Sequence, residues 1–263
     1  MKTIIERMIG IGRAVDNPGE VALKGTRING ASKTSSAPEP LKAGTVLRDR
    51  YKVKDFLYWD GRHNHYVVTD IEGKRIYELR EFPNDQGMEV EREIITKRLK
   101  HWGIVRRYNL FTEDNRTYIV SDYHRAPDLE NTRRFLSTRD ILGIAFTLVD
   151  TLHYLHSHGI AQVDLSARNI KDMKEVQKIV EFSSCRLFSG PSIKGFREAR
   201  KKDFLGLVDL LERLILRIIE QSEAPSLLHL IKSLEEMVAT PPISAADFKE
   251  RLSQCNTMET NMR

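Results

Sequence analysis

Cysteine is scarce in this 263-residue chain: there are two, Cys185 and Cys255, and neither has partners at zinc-finger spacing. This argues against a disulfide framework and fits a reducing, cytoplasmic setting. Long hydrophobic runs are also missing. The most apolar stretch, FLGLVDLLERLILRII, is broken by Asp209, Glu212 and Arg213, so it falls short of the ~20 apolar residues that a membrane span needs. It reads as an amphipathic or buried helix. Nor does one sign of charge dominate. Lysine and arginine number 42 against 37 acidic residues, a net +5 spread along the chain, which favours a solvated surface over a nucleic-acid footprint. The N-terminus has no small-residue cleavage site behind a long enough apolar core, so a signal peptide is not expected. What remains is ordinary globular composition, 40% hydrophobic and 30% charged, in a chain long enough for one large domain or a two-lobed one.

Taken in order, residues 1–14 set Ile4, Ile5, Met8 and Ile9 near helical spacing, weakened at Gly10 and Gly12. Small and polar residues then run to 43, so residues 1–43 read as a flexible leader with a short N-terminal helix. At Gly44 the pattern turns to strands. Alternating stretches broken at Asp60-Gly61 and Glu72-Gly73 predict three of them. Residues 86–101 are helix-periodic, with Val90, Ile94, Ile95 and Leu99 on one side. IVRRYNLF and RTYIVSDY add two strands around Glu113-Asp114-Asn115, and a hinge follows from Tyr123 to Asp128. Helices are expected over 138–158, buried at Ile141, Ala145, Leu148, Leu152 and Leu155, and again from Asp203. SLLHLIKSLEEMV and ISAADFKERLSQC are the last two, with Ser244 as an N-cap and residues 255–263 a disordered tail.

Between these helices lies GIAQVDLSARNIKDMKEVQKIVEFS, Gly159 to Ser183. It holds Asp164, then Asn169 five positions on, then a β-rich run ending in Glu181-Phe182-Ser183. A helix, a polar loop with a carboxylate and an amide, a hairpin and a second acid are the ordered parts of a phosphoryl-transfer site. TLHYLHSHGI leads into the loop, EREIITKRLKHWGIVRRYNLFTEDNRTYIVSDY precedes it and Asp203 follows it. On these segments residues 44–254 resemble the protein kinase-like superfamily, the bacterial Hanks-type and eukaryotic-type Ser/Thr kinases. The resemblance implies an α+β, two-lobed fold. Its N-lobe (44–123) has a five-stranded antiparallel sheet plus helix C, its C-lobe (128–254) is mainly helical, and its activation segment is shortened. It also implies roles: Asp164 at the catalytic-base position, Asn169 and Glu181 at the metal positions, Arg80 and Glu91 at the lysine–glutamate pair, and Asp203 and Phe182 as structural anchors.

The same resemblance marks what is missing. The glycine positions of the phosphate loop carry Tyr58, Asp60 and His63, with only Gly61 between them. Bulk and a negative charge stand where backbone would approach phosphate. Arg80 takes the place of a lysine whose point contact a planar guanidinium does not reproduce. Ser166 replaces the catalytic-loop lysine, Val163 the arginine that reads a phosphorylated activation loop, and Ser183 the glycine after the metal-binding acid. Glu181 adds a methylene where Mg²⁺ enforces strict geometry. Only 22 positions separate Glu181 from Asp203, and no Ala-Pro-Glu anchor is visible. The expectation is a catalytically inactive pseudokinase, a protein-binding scaffold or allosteric regulator in signalling. Its partner would be another protein, such as an active kinase, with no nucleic acid, no transmembrane segment and no cofactor beyond weak ATP/Mg binding. The alternative is an atypical Mg-dependent phosphoryl- or nucleotidyl-transferase using Asp164, Asn169 and Glu181.

Overall fold

One antiparallel sheet organises the N-terminal half, in a computed structural model that describes residues 38–83, 87–188, 194–219 and 227–260. Its strands are β1 (Val46–Leu47), β2 (Tyr51–Trp59), β3 (Asn64–Asp70), β4 (Ile76–Phe82), β5 (Arg107–Glu113) and β6 (Arg116–Asp122), in the spatial order β1-β2-β3-β4-β6-β5. The sheet therefore has six strands rather than the expected five. GTVLRDRYKV looks like one alternating strand, but Arg48 and Asp49 take φ of 52° and 51° and fold Val46–Leu47 back onto β2. No glycine marks this turn, so the sequence hides it. The β5–β6 hairpin turns on Asp114 and Asn115, both at positive φ, the geometry of a two-residue type I′ turn. Tyr51, Val53, Tyr66, Val68, Leu79, Phe111, Tyr118 and Val120 form the core of one face.

The expected leader does not stay loose to residue 43. Asn64 Nδ2 donates to the Pro38 carbonyl at 3.2 Å, and the Leu41 N–H donates to the Tyr66 hydroxyl at 3.1 Å. Residues 1–37, with the expected N-terminal helix, lie outside the described residues.

Helix α1 (Glu89–Thr96) is shorter than the periodicity suggests. Arg98 enters the left-handed region at φ 51°, the Leu99 N–H reaches back to the Ile94 carbonyl and the Arg98 N–H to Ile95. This is a Schellman ending. Leu99 extends the apolar period because it packs back from beyond the helix end, not because the helix continues.

The C-terminal half is helical: α2 (Thr138–Ser157), α3 (Lys194–Ile219), α4 (Leu227–Ala239) and α5 (Ala245–Thr260). Helix α2 opens on a capping box between Ser137 and Asp140 and buries all five predicted positions. Helix α3 starts at Lys194, ahead of the predicted Asp203, because Phe196 and Ala199 pack on Ala161 and Phe188 and hold a first part that is otherwise mostly charged. Ser244 caps α5 through the Asp247 N–H, as expected. That helix runs to Thr260, so the tail expected from 255 is helical as far as the structure describes it. No helix among the described residues is long and apolar enough to cross a membrane.

Between the halves, β7 (Ile160–Ala161) pairs with β10 (Arg186–Leu187), and β8 (Ile170–Asp172) pairs with β9 (Gln177–Ile179). One core joins the two lobes: Val90 and Ile94 of α1 share it with Ile179, Phe182, Leu148, Phe204 and Phe248. Gly103 sets how closely this junction packs, since a Cβ there would lie 1.8 Å from Thr151 Oγ1. Gly103→Ala is expected to lose about 1–3 kcal/mol of stability by overpacking. Adding Thr151→Ala should recover much of that loss in chemical denaturation, because it removes the clashing atom.

Candidate functional site

The cleft between the sheet and the helical half has a volume of about 460 Å³, and Arg80, Asn169 and Glu181 line it. Asp164 does not. The residues predicted for one site are thus divided, and three small hydrogen-bonded systems explain the division.

The first is a buried ion-pair chain. Arg80 projects from β4 with 2% exposure, and its Nη1 donates to Glu181 Oε2. Its Nη2 lies 3.7 Å from Glu91, so the expected Arg80–Glu91 pair survives only as a long contact. Glu91, wholly buried on α1, instead receives two bonds from Arg107, Nε at 2.8 Å and Nη2 at 3.1 Å. Arg107 Nη2 also donates to the Val180 carbonyl at 2.6 Å. Sequence reasoning missed Arg107, which opens β5 directly after Arg106. Only the strand register and its burial show that it points inward.

Glu181 has no free oxygen: Oε2 faces Arg80, and Oε1 accepts the Ser183 N–H at 2.8 Å. Burial opposes its ionisation, but the Arg80 charge and the Ser183 N–H outweigh burial and hold its carboxyl at about 2. The ordinary value is 4.5. A depressed carboxyl contributes stability that is present above the ordinary value and lost as pH falls through the folded one. Stability should therefore decline across the window from 4.5 to about 2. Glu181→Gln should flatten that part of an acid-unfolding profile while lowering stability at neutral pH.

This donor set does not fit Mg²⁺. The one carboxylate at the metal positions is neutralised by a guanidinium and spent on a backbone amide. Asn169 turns its Nδ2 toward the Asp164 carbonyl, 3.5 Å away.

The second system holds the loop. Asp203 on α3 accepts from the Val163 N–H at 2.8 Å, the Gln162 N–H at 3.1 Å and His156 Nε2 at 2.8 Å. Burial pushes its carboxyl up despite these three donors. Gln162 sits at φ 62°, a left-handed conformation that costs energy for a side-chain residue and persists only where neighbours fix it. Asp203 supplies that constraint through its bonds to the Gln162 and Val163 N–H groups. Asp164 Oδ1 accepts the Ser166 N–H at 3.0 Å, a local turn. Phe182 is completely buried in the shared core.

The third system fills the place of the phosphate loop, the turn between β2 and β3. Asp60 Oδ1 accepts the Arg62 and His63 N–H groups, each at 2.7 Å. Its Oδ2 faces His63 Nδ1 at 3.2 Å and His65 Nε2 at 3.0 Å. His65 Nδ1 meets Glu78 Oε1 at 2.9 Å, and the Tyr58 ring stacks on His65 with centroids 4.4 Å apart. Burial opposes ionisation of Asp60, yet the hydrogen bonds from His63 and His65 hold its carboxyl well below the usual range. Burial likewise disfavours a charged His65, and its bonds to Asp60 and Glu78 outweigh burial and raise it. The obstruction read from Tyr58, Asp60 and His63 is therefore an organised network. His65 and Glu78, which complete it, were not singled out from the sequence.

Comparison with known proteins bears on the fold. The protein kinase domain family matches residues 64–201. Ribosomal protein S6 kinase 2 beta of Xenopus laevis is 31% identical over 159 residues, 53% of this chain and 24% of that protein. Serine/threonine-protein kinase PDK1 of Cryptococcus neoformans is 28% identical over 44% of this chain and 10% of its own length. The chain thus spans a quarter or less of these two relatives. The crystal structure of the Mycobacterium tuberculosis PknI kinase domain superposes with a TM-score of 0.63 at 18% identity, covering 82% of this chain and all of that one. The two-lobed fold, the Asp203 anchor, the buried Phe182 and the matched residues agree: this chain belongs to the protein kinase domain family.

Proposed function

We propose that this protein is a catalytically inactive pseudokinase, its kinase fold kept as a protein-binding scaffold or allosteric regulator in signalling. The observation that carries this reading is the closed pair of Arg80 and Glu181. The residue that would order phosphates and the residue that would hold their metal ion satisfy each other. Opening that pair leaves an uncompensated buried charge, at a cost of about 3–5 kcal/mol. Asp60 and Glu78 add negative charge to the cleft wall where a nucleotide's phosphates would lie. Ser166 offers no cation to the moving phosphate. Each lost electrostatic stabiliser typically lowers a rate by ~10²–10³, so these losses together leave no useful turnover. The relatives named above are kinases by name; their activity does not carry over to a site with this donor set.

The retained architecture supports the second half of the proposal. The loop anchor, the buried Phe182 and the Glu91–Arg107 bond keep the lobes in one packed unit without serving chemistry. Another protein, such as an active kinase, is the partner, and the cytoplasm is the setting. A thermal-shift titration with ATP, with and without Mg²⁺ or Mn²⁺, tests the reading. No shift that requires ATP and the metal together is expected. A stabilisation that appears only with both ATP and the metal would restore the transferase reading built on Asp164, Asn169 and Glu181.

A further inference from the structure

Asp60, His63 and His65 bring a carboxylate oxygen and two imidazole nitrogens within 4.8 Å of one another. We propose that these three side chains form a transition-metal site, with Zn²⁺ the ion they fit best, on the turn that faces the cleft. The distances suit such an ion. Zn²⁺ bonds nitrogen and oxygen at about 2.0–2.2 Å in a tetrahedron, whose edges are then about 3.3–3.5 Å. Asp60 Oδ2 stands 3.2 Å from His63 Nδ1 and 3.0 Å from His65 Nε2. The two imidazole nitrogens lie within 4.8 Å of each other, so an ion enters as the two rings draw in around it.

The donors are also held as ligands are held. Metal-bound histidines pass their second nitrogen to a carboxylate or carbonyl, and ligating carboxylates are themselves hydrogen-bonded. His65 Nδ1 is taken by Glu78, and Asp60 Oδ1 by two backbone N–H groups, which leaves Oδ2 facing the histidines. Tyr58 stacks on the His65 ring, and the Phe82 and His63 ring centroids are 4.1 Å apart. Both histidines are buried, at 7% and 6% exposure. Two imidazoles and one carboxylate favour zinc over magnesium or calcium, which prefer all-oxygen shells. Asp60 and His65 line the cleft, so the fourth position is open to water or to an anionic group entering there. The site shares no residue with the Asn169–Glu181 pair; it does include Asp60 and Glu78 of the cleft wall, so it is tested by metal binding in the absence of ATP.

The competing account is that Asp60 simply accepts hydrogen bonds from both rings. Tag-free, chelator-stripped protein titrated with Zn²⁺ by calorimetry, and with Co²⁺ by absorption, separates the two. Binding of one Zn²⁺ per chain with micromolar or tighter affinity is expected, together with the intense d–d bands of four-coordinate Co²⁺. His63→Gln should abolish that binding at micromolar Zn²⁺, and Glu78→Gln should weaken it about 10–100-fold. Circular dichroism of the metal-free variants reports folding. Should His63→Gln misfold, the parent's stoichiometry and Co²⁺ spectrum decide. Absence of binding at micromolar Zn²⁺, a weak six-coordinate Co²⁺ spectrum, or unchanged affinity in folded His63→Gln would overturn the proposal.

Discussion

Glu91→Ala is expected to lower the folding stability by about 3–5 kcal/mol, the range for removing one partner of a buried ion pair. Glu91 is wholly buried, and its carboxylate takes two bonds from Arg107. Without it the Arg107 guanidinium keeps only the Val180 carbonyl, and Arg80 loses its second neighbour. The loss should appear in urea unfolding as a lower midpoint with an unchanged slope. A double change, Glu91→Leu with Arg107→Leu, removes both charges and should recover most of the stability, since hydrophobic replacement of a buried pair is often neutral. A cost below about 1 kcal/mol for Glu91→Ala would place the pair among exposed ones and contradict its structural role.

Asp203→Ala should be comparably damaging, about 3–5 kcal/mol, for a related reason. Three donors converge on that carboxylate: His156 Nε2 and the N–H groups of Gln162 and Val163. Its removal leaves the buried Val163 N–H and His156 Nε2 without their acceptor and releases Gln162 from its positive φ. Amide exchange at Gln162 and Val163 should then approach the rate of exposed loops, while the β2–β3–β4 amides stay protected. His156→Ala removes a single donor and should cost about 1–2 kcal/mol. If Asp203→Ala left exchange at Gln162 and Val163 unchanged, the anchor would lie elsewhere.

These two residues illustrate what sequence can and cannot convey. Asp203 was legible because its distance from a catalytic-type loop is set by the chain order of the family. Phe182 was legible because it directly follows the acid at Glu181. Arg107 was not, because an arginine on a strand looks alike whether it faces solvent or a buried glutamate; register decides. Glu181 was read as a metal position, and its neutralisation by Arg80 depends on two segments 101 residues apart. The first turns of α3 were missed because KGFREARKK is mostly charged, and Phe196 and Ala199 alone tie it to the core. The β1 turn at Arg48-Asp49 was missed because positive φ without glycine leaves no compositional mark. The fold is carried by periodicity and motif order, which are local. The state of the site is carried by side chains that meet only after folding.

Phosphate transfer is the decisive measurement. Tag-free protein incubated with γ-labelled ATP and Mg²⁺ or Mn²⁺, alone and with generic kinase substrates, should incorporate no label above a heat-denatured control. Label transfer to any protein that vanishes in Asp164→Asn would contradict it, and would show that Arg80 and Glu181 part to let a nucleotide in.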